Sequence, residues 1–289
     1  MNFLITGCSS YIARYVAEKL LSDGDRIIGI SRTDPDIEHE NFCWISHDLS
    51  KGSCELGTSS VDIIIHMAAQ SLLNKSAAEY LSSNILITNH VGNMAKKLQP
   101  RAIIYTSSMK IYGEIRTKEA TEDIDIINPE LYGLTKYFGE KILQEIKPTI
   151  SLRMPGVVSV GSHGWIDGIY KKLRRNETLS IFNSPYNHVI HALDIYGIIR
   201  QICDDEYFKT DSFNVCAEGL STSLEVVELI KEGLCSESVI DVKEQDSVAT
   251  YVLSNEKLLN LYKPMDVKDT IGLYIKEMNN KLIGKGDIS

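Results

Sequence analysis

Asn2-Phe3-Leu4-Ile5-Thr6-Gly7-Cys8-Ser9-Ser10-Tyr11-Ile12-Ala13 decides the fold. A short apolar run, Asn2 to Thr6, stops at Gly7, and after Cys8-Ser9-Ser10 an amphipathic stretch covers 11–21. Strand, tight turn and helix in that order open a dinucleotide-binding unit, whose glycine turn lets the helix N-terminus face a pyrophosphate. The glycine pattern of such turns is met in part. Gly7 holds the first position, Ser10 the middle one and Ala13 the last. Ala13 is a mild change, because the last glycine serves helix–strand packing. Ser10 adds a side chain where backbone should approach phosphate, and its hydroxyl can donate a hydrogen bond there instead.

The same alternation continues outward. Strands are expected at 26–30, 42–46, 61–69, 101–106 and 149–154, with helices over 80–98 and in the segment that holds Tyr132 and Lys136 and runs through Gln144. The run Val61-Asp62-Ile63-Ile64-Ile65-His66-Met67-Ala68-Ala69 is nearly continuous in apolar residues, which suits a parallel strand covered on both faces. Its small C-terminal residues leave room for a ligand in the crevice, and His66 reads as a core histidine without a catalytic role. The pattern gives an α/β protein with a doubly wound parallel (Rossmann) sheet. Residues 1–156 form the expected nucleotide-binding domain, which also receives a strand near 212–217. Residues 157–289 form mostly a smaller, discontinuous C-terminal α/β lobe for substrate, with helices at 223–234 and 267–282.

Composition bounds the function. A chain of 289 residues can bury a full core, and 43% hydrophobic with 24% charged residues is ordinary for a soluble globular protein. A formal charge of -9 argues against nucleic acid as partner. Six scattered cysteines without a CxxC pair read as reduced thiols, and the N-terminus reads as a first strand with no signal peptide; a cytoplasmic location is expected. No metal site is expected: His163, His188 and His191 are read as lobe packing.

Two further sites carry chemistry. At the end of the second strand, Ser31-Arg32-Thr33 stands where NAD-preferring proteins carry an acidic residue for the ribose 2′-OH. A guanidinium at Arg32 suits a 2′-phosphate and favours NADP, the alternative being a solvated surface arginine. In Pro129-Glu130-Leu131-Tyr132-Gly133-Leu134-Thr135-Lys136, Tyr132 and Lys136 share one helix face. An ammonium beside a phenol lowers its pKa and suits it to acid/base work on a sugar or alcohol oxygen. Ser108 follows a strand's C-terminal end, where ligands bind in open α/β sheets.

Taken together, these stretches resemble the extended short-chain dehydrogenase/reductase superfamily, the NAD(P)-dependent nucleotide-sugar epimerases, dehydratases and ketoreductases. The resemblance rests on Gly7 through Ala13, Asp48-Leu49, His66-Met67-Ala68-Ala69, Asn84 with Thr88, and Ser107-Ser108 with Tyr112-Gly113. It continues through Tyr132-Gly133 with Lys136, Arg153 with Pro155, and His191 with Asp194. It implies Tyr132 as acid/base, Lys136 as its pKa-lowering partner that also bonds the nicotinamide ribose, and Ser108 as donor to the substrate oxygen, with Tyr132 and Lys136 both at the cofactor. Gly7, Ser10 and Ile12 would lie at the pyrophosphate, and Asp48 and Leu49 at adenine. Met67, Ala68 and Ala69 would lie along the cofactor, with Tyr11, Asn84, Thr106 and Pro155 also in contact with it. Substrate would meet Ser108, Met109 and Tyr132.

The resemblance also bears on the reaction. Dehydratases of the family carry an acidic pair after the Ser/Thr; Met109 and Lys110 stand there instead, against dehydration. With Arg32 and a short chain, the expectation is an NADP(H)-dependent reductase acting on the 4-keto group of a nucleotide-activated deoxysugar. An NAD-dependent nucleotide-sugar 4-epimerase is the alternative, and a non-catalytic NAD(P) sensor the alternative of another class. An arginine that often clamps the substrate diphosphate is Asn187 here, with Arg174 and Arg175 as candidate replacements, the alternative being a plain solvated helix face. The family also implies a homodimer through the helices containing Thr88 and Tyr132.

Overall fold

The computed structural model describes residues 1–57, 60–70, 75–243 and 251–283. The chain forms two compact units. One joins Met1–Glu114, Glu122–Met154 and Tyr196–Asn214; the other joins Ile115–Thr121, Pro155–Ile195 and Val215–Ser289. The boundary expected at 156 therefore falls at Met154, and residues 115–121 and 196–214 each belong to the unit opposite to their neighbours in sequence.

In the first unit β1 (Asn2–Thr6) is buried from Phe3 onward. A strand buried on both faces needs no polar alternation, hence the unbroken apolar run. Helix α1 (Tyr11–Ser22) buries Ala13, Val16, Ala17, Leu20 and Leu21, the i, i+3, i+4, i+7, i+8 stripe of a helix lying on a sheet. Strands β2 (Arg26–Ser31), β3 (Phe42–Ser46) and β4 (Ile63–His66) follow. A helical rod comes next: α2 (Ala77–Tyr80), a π-helical turn (Leu81–Leu86) and α3 (Ile87–Leu98). Then come β5 (Ala102–Ser108), α4 (Leu131–Gln144), β6 (Thr149–Met154) and β7 (Asp211–Asn214).

The seven strands lie in the order β7-β6-β5-β4-β1-β2-β3, every pairing parallel. The strand order reverses between β1 and β4, with Thr6 opposite His66 at the carboxyl ends. That reversal is where doubly wound sheets open a ligand crevice.

Four elements differ from expectation. The strand expected near 212–217 pairs only over Asp211–Asn214, and Val215 onward belongs to the second unit. The strand expected at 61–69 pairs only over Ile63–His66, because the chain then leaves the sheet to pass over Gly7. Strand β5 runs to Ser108, so Ser107 and Ser108 stay in the ladder opposite Arg153 and Met154. The helix expected over 80–98 contains the π turn, whose i→i+5 winding leaves no trace in hydrophobic periodicity.

The second unit is built from short strand pairs. Gly156–Val158 pairs with Val189–His191, Leu179–Phe182 with Ile240–Lys243, and Glu119–Ala120 with Val252–Leu253, all parallel. Helices Trp165–Arg174, Ser223–Gly233 and Val267–Ile283 contribute to its core around Tyr170, Leu173, Ile230, Ile271 and Tyr274. Among the described residues, no helix is long and apolar enough to cross a membrane.

Candidate active site

The turn after β1 is shaped by what Gly7 lacks. Its φ of 72° is the left-handed region, and a Cβ there would lie 2.8 Å from the backbone N and Cα of Ala68. Ser10 caps α1, its hydroxyl accepting from Ala13 N–H at 3.3 Å, so its own proton points to other acceptors. A cavity of about 450 Å³ opens beside this turn. Gly7, Ser10, Arg32, Asp48, Leu49, Met67, Ala68 and Ala69 line it. Tyr11 and Ile12, half-buried in the first turn of α1, are not on its wall.

Several lining residues carried no flag in the sequence. His47, Gln70, Lys75, Glu79 and Ser83 also line the cavity. Part of this was legible: Ser76 and Glu79 form a capping box, and Lys75 pairs with Glu79 at 3.2 Å. Ser83 is on the wall because of the π turn, which sequence spacing does not reveal.

The end of β2 divides its expected pair. Ser31 donates to the Thr33 carbonyl at 2.6 Å, accepts from Trp44 Nε1 at 3.1 Å and meets Cys8 Sγ at 3.1 Å. Its hydroxyl is turned inward, and Arg32 is left exposed on the wall. Asp48 is held below the usual carboxylate range, chiefly by the Ser50 hydroxyl at 2.7 Å, with the Ser50 N–H and the Arg32 charge adding to it. A dinucleotide fits this cradle: a helix N-terminus, a missing Cβ at the closest backbone approach, and an anion and a cation at the far wall.

A second set gathers at the carboxyl end of β5. Gly133 lies against the Lys110 carbonyl, where a Cβ would collide, and this lets α4 rest directly on the turn Met109–Tyr112. The approach brings Tyr132 into hydrogen bonding with Ser108, which also accepts from Lys110 N–H at 3.2 Å. Met109 is half-buried at the start of that turn.

Burial dominates the charges here. It pushes the Tyr132 phenol up to about 12 against the opposing pull of Ser108. It pushes Lys136, 2% exposed, down to about 7, offset in part by Glu140. The lowering by the lysine that the spacing predicts is not what governs the phenol: desolvation raises it against the Ser108 hydrogen bond, and it is protonated at neutral pH. The Lys136 ammonium sits 4.2 Å from the centre of the Tyr105 ring.

Other expected residues are engaged within the protein. Asn84 Oδ1 accepts from Gln70 N–H at 2.7 Å, and its Nδ2 donates to Thr135 Oγ1 at 2.9 Å. Thr135 in turn donates to the Tyr132 carbonyl at 2.8 Å. Asn84 therefore ties the segment after β4 to α4 and does not line the cavity. Thr106 likewise donates to the His66 carbonyl at 3.1 Å. His66 bridges Thr6 at 2.7 Å and Thr88 at 3.0 Å, and burial pushes it down to about 3, a neutral core histidine.

In the second unit, Pro155 precedes the strand Gly156–Val158. Asn187, expected at substrate, is buried with its carboxamide bonded to both the N–H (3.1 Å) and the carbonyl (2.7 Å) of Leu253, which makes it a packing clasp. Arg174 lies on the exposed face at the end of its helix.

Sheet order, glycine turn and cavity define a Rossmann-type dinucleotide-binding protein. The model of the NAD dependent epimerase/dehydratase family matches residues 3–216; the chain belongs to that family and is an enzyme. An uncharacterized protein of Methanocaldococcus jannaschii is 25% identical, with 91% of each chain covered. A putative UDP-glucose 4-epimerase from the same organism is 24% identical over 96% of this chain and 98% of its own. The enzyme WbmG of Bordetella bronchiseptica, solved in complex with NAD, shares the fold with a TM-score of 0.83 at 20% identity, over 97% of this chain and 94% of that one.

Gly7→Ala tests the cradle. The added methyl must displace Ala68, so dinucleotide affinity should fall at least about 10-fold with secondary structure retained. Fluorescence titration with NADH and NADPH measures it, and unchanged affinity for both would exclude this turn as the binding site.

Proposed function

We propose that the enzyme reduces the 4-keto group of a nucleotide-activated deoxysugar, with Tyr132, Ser108 and Lys136 handling the proton. The observation that carries this reading is Tyr132, a phenol kept protonated by burial and hydrogen-bonded to Ser108 at the end of a central strand. Carbonyl reduction consumes one proton at the substrate oxygen, and Tyr132 is poised to give it. Ser108 holds the same oxygen through its hydroxyl. Lys136, one turn further along α4, steadies the phenolate left behind. A bound nicotinamide dinucleotide supplies the hydride. On this reading Gly7 and Ser10 hold the pyrophosphate end, Asp48 and Leu49 the adenine, and Met67, Ala68 and Ala69 the connecting path. The second unit would grip the nucleotide sugar.

Arg32 favours NADP(H), as the exposed cation on the wall. The second reading, an NAD-dependent 4-epimerase, draws on the inward Ser31 hydroxyl, which removes half of the expected 2′-phosphate pair. It also draws on the relative named as a putative UDP-glucose 4-epimerase over nearly its whole length. We further propose a homodimer. Leu131 and Phe138, seven residues apart on α4, are 49% and 53% exposed, and Leu81 and Leu86 of the neighbouring π turn are exposed as well.

Three measurements bear on this. Tyr132→Phe should lower turnover by about 100-fold or more while cofactor affinity stays within a few-fold, and turnover equal to wild type would remove Tyr132 from the chemistry. NADPH should bind about 10-fold tighter than NADH, a preference that Arg32→Ala abolishes; NAD retained through purification would select the epimerase instead. Light scattering at low micromolar concentration should give twice the chain mass, falling toward one chain in Phe138→Glu; a monomer in the wild type would refute the dimer.

A further inference from the structure

The interior of the first unit holds three charged groups in a row. Lys136 and Glu140 are one turn apart on α4 and stack on one face, a spacing that brings Cβ atoms to about 5–6 Å. Glu140, with no exposed surface, takes a two-pronged bond from Arg153 of β6, Nε to Oε1 at 3.2 Å and Nη2 to Oε2 at 3.0 Å. Arg153 Nη1 donates onward to the Tyr112 hydroxyl at 3.1 Å and the Glu122 carbonyl at 2.8 Å. Gly139 makes the room: a Cβ there would collide with the Tyr105 hydroxyl, whose ring faces the Lys136 ammonium.

The groups brought against Lys136 differ in what they supply. Tyr105 of β5 offers a ring face, and burial keeps its phenol neutral. His66 of β4 is neutral, and Tyr132 on α4 is a protonated phenol. Glu122 acts on the Tyr112–Arg153 side. Among the described residues set against Lys136, Glu140 supplies the negative charge, and it already carries Arg153.

We propose that Glu140 is a positioning residue for the acid/base pair: its carboxylate, shared between Arg153 and Lys136, keeps the lysine cationic in a site that excludes water. The proposal rests on the reading of Tyr132 and Lys136 as that pair. Two opposite consequences follow from the sharing. Glu140→Gln leaves two buried cations facing each other, and Lys136 releases its proton more readily. Arg153→Met leaves the carboxylate to Lys136 alone, and the proton is held more tightly. A brace that merely joined α4 to β6 would weaken the fold in both variants and shift Lys136 in neither direction.

The test is the titration of Lys136 in the full chain, followed by NMR of 13C-labelled lysine and assigned with Lys136→Met. The Lys136 midpoint should fall by about one to two pH units in Glu140→Gln and rise in Arg153→Met. Turnover that depends on the cation is lost as pH rises through that midpoint, so in Glu140→Gln the alkaline loss should begin at lower pH and activity should return on acidification. A folded Glu140→Gln with an unmoved midpoint, or the same direction of shift in both variants, overturns the proposal. Should either variant fail to fold, Glu140→Asp keeps the charge but draws it back by one methylene. Its midpoint should fall by a smaller step, and no fall overturns the proposal. Because the titration reads Lys136 itself, its outcome is separate from that of Tyr132→Phe, which tests the acid/base reading.

Discussion

Taking a charge out of water is the constraint on which the first unit turns. Lys136, Glu140 and Arg153 are all buried or nearly so, in the layer between the central sheet and α4. An unpaired ion in such a place would be destabilising by several kcal/mol, so each must find its counter-charge within the fold. That requirement fixes α4 against β6 through the two-pronged Arg153–Glu140 bond. It also fixes the Lys136 ammonium over the Tyr105 ring, and the missing side chains of Gly133 and Gly139 allow the close approach. The apolar sheet supplies the dry surroundings, and the charged row sets how α4 is seated on it.

That seating explains how the site differs from a simple picture of a lysine tuning a tyrosine. Burial acts on both partners at once, raising the phenol and lowering the ammonium. The pair is therefore poised with the proton on tyrosine, and its charge balance depends on groups one layer deeper. In the cavity beside the glycine turn the same economy of polar groups is visible. The Ser31 hydroxyl is engaged by Trp44, Thr33 and Cys8, which ties down the end of β2 and leaves the Arg32 and Asp48 side chains on that wall.

Much of this was legible in the sequence, for physical reasons that can be named. Unbroken apolar runs such as Phe3 to Thr6 betray strands buried on both faces, and Gly7 betrays a turn that a side chain would block. The spacing of Tyr132 and Lys136 on one helix face is legible, as is the buried strand that ends at Ser108. What the sequence hid was contact at a distance. Nothing near Asn187 announces that its carboxamide is bonded to Leu253, and nothing near Ser31 announces Trp44. Short strand pairs such as Gly156–Val158 with Val189–His191 are too brief for periodicity to reveal. Nothing near Glu140 announces its partner, because Arg153 comes from a strand beyond the helix.

The π turn at Leu81–Leu86 has a consequence for how this chain can vary. Each residue of an α-helix advances the winding by about 100°, so one residue more or less changes which side chains face inward over everything beyond it. Here the extra winding is absorbed locally: Asn84 points to Gln70 and Thr135 while Thr88, four residues later, still meets His66. Loops can lengthen or shorten with little penalty, but between Tyr80 and Ile87 the number of residues is itself part of the information. Substitutions there alter a contact; a change of length would alter the phase of the rod.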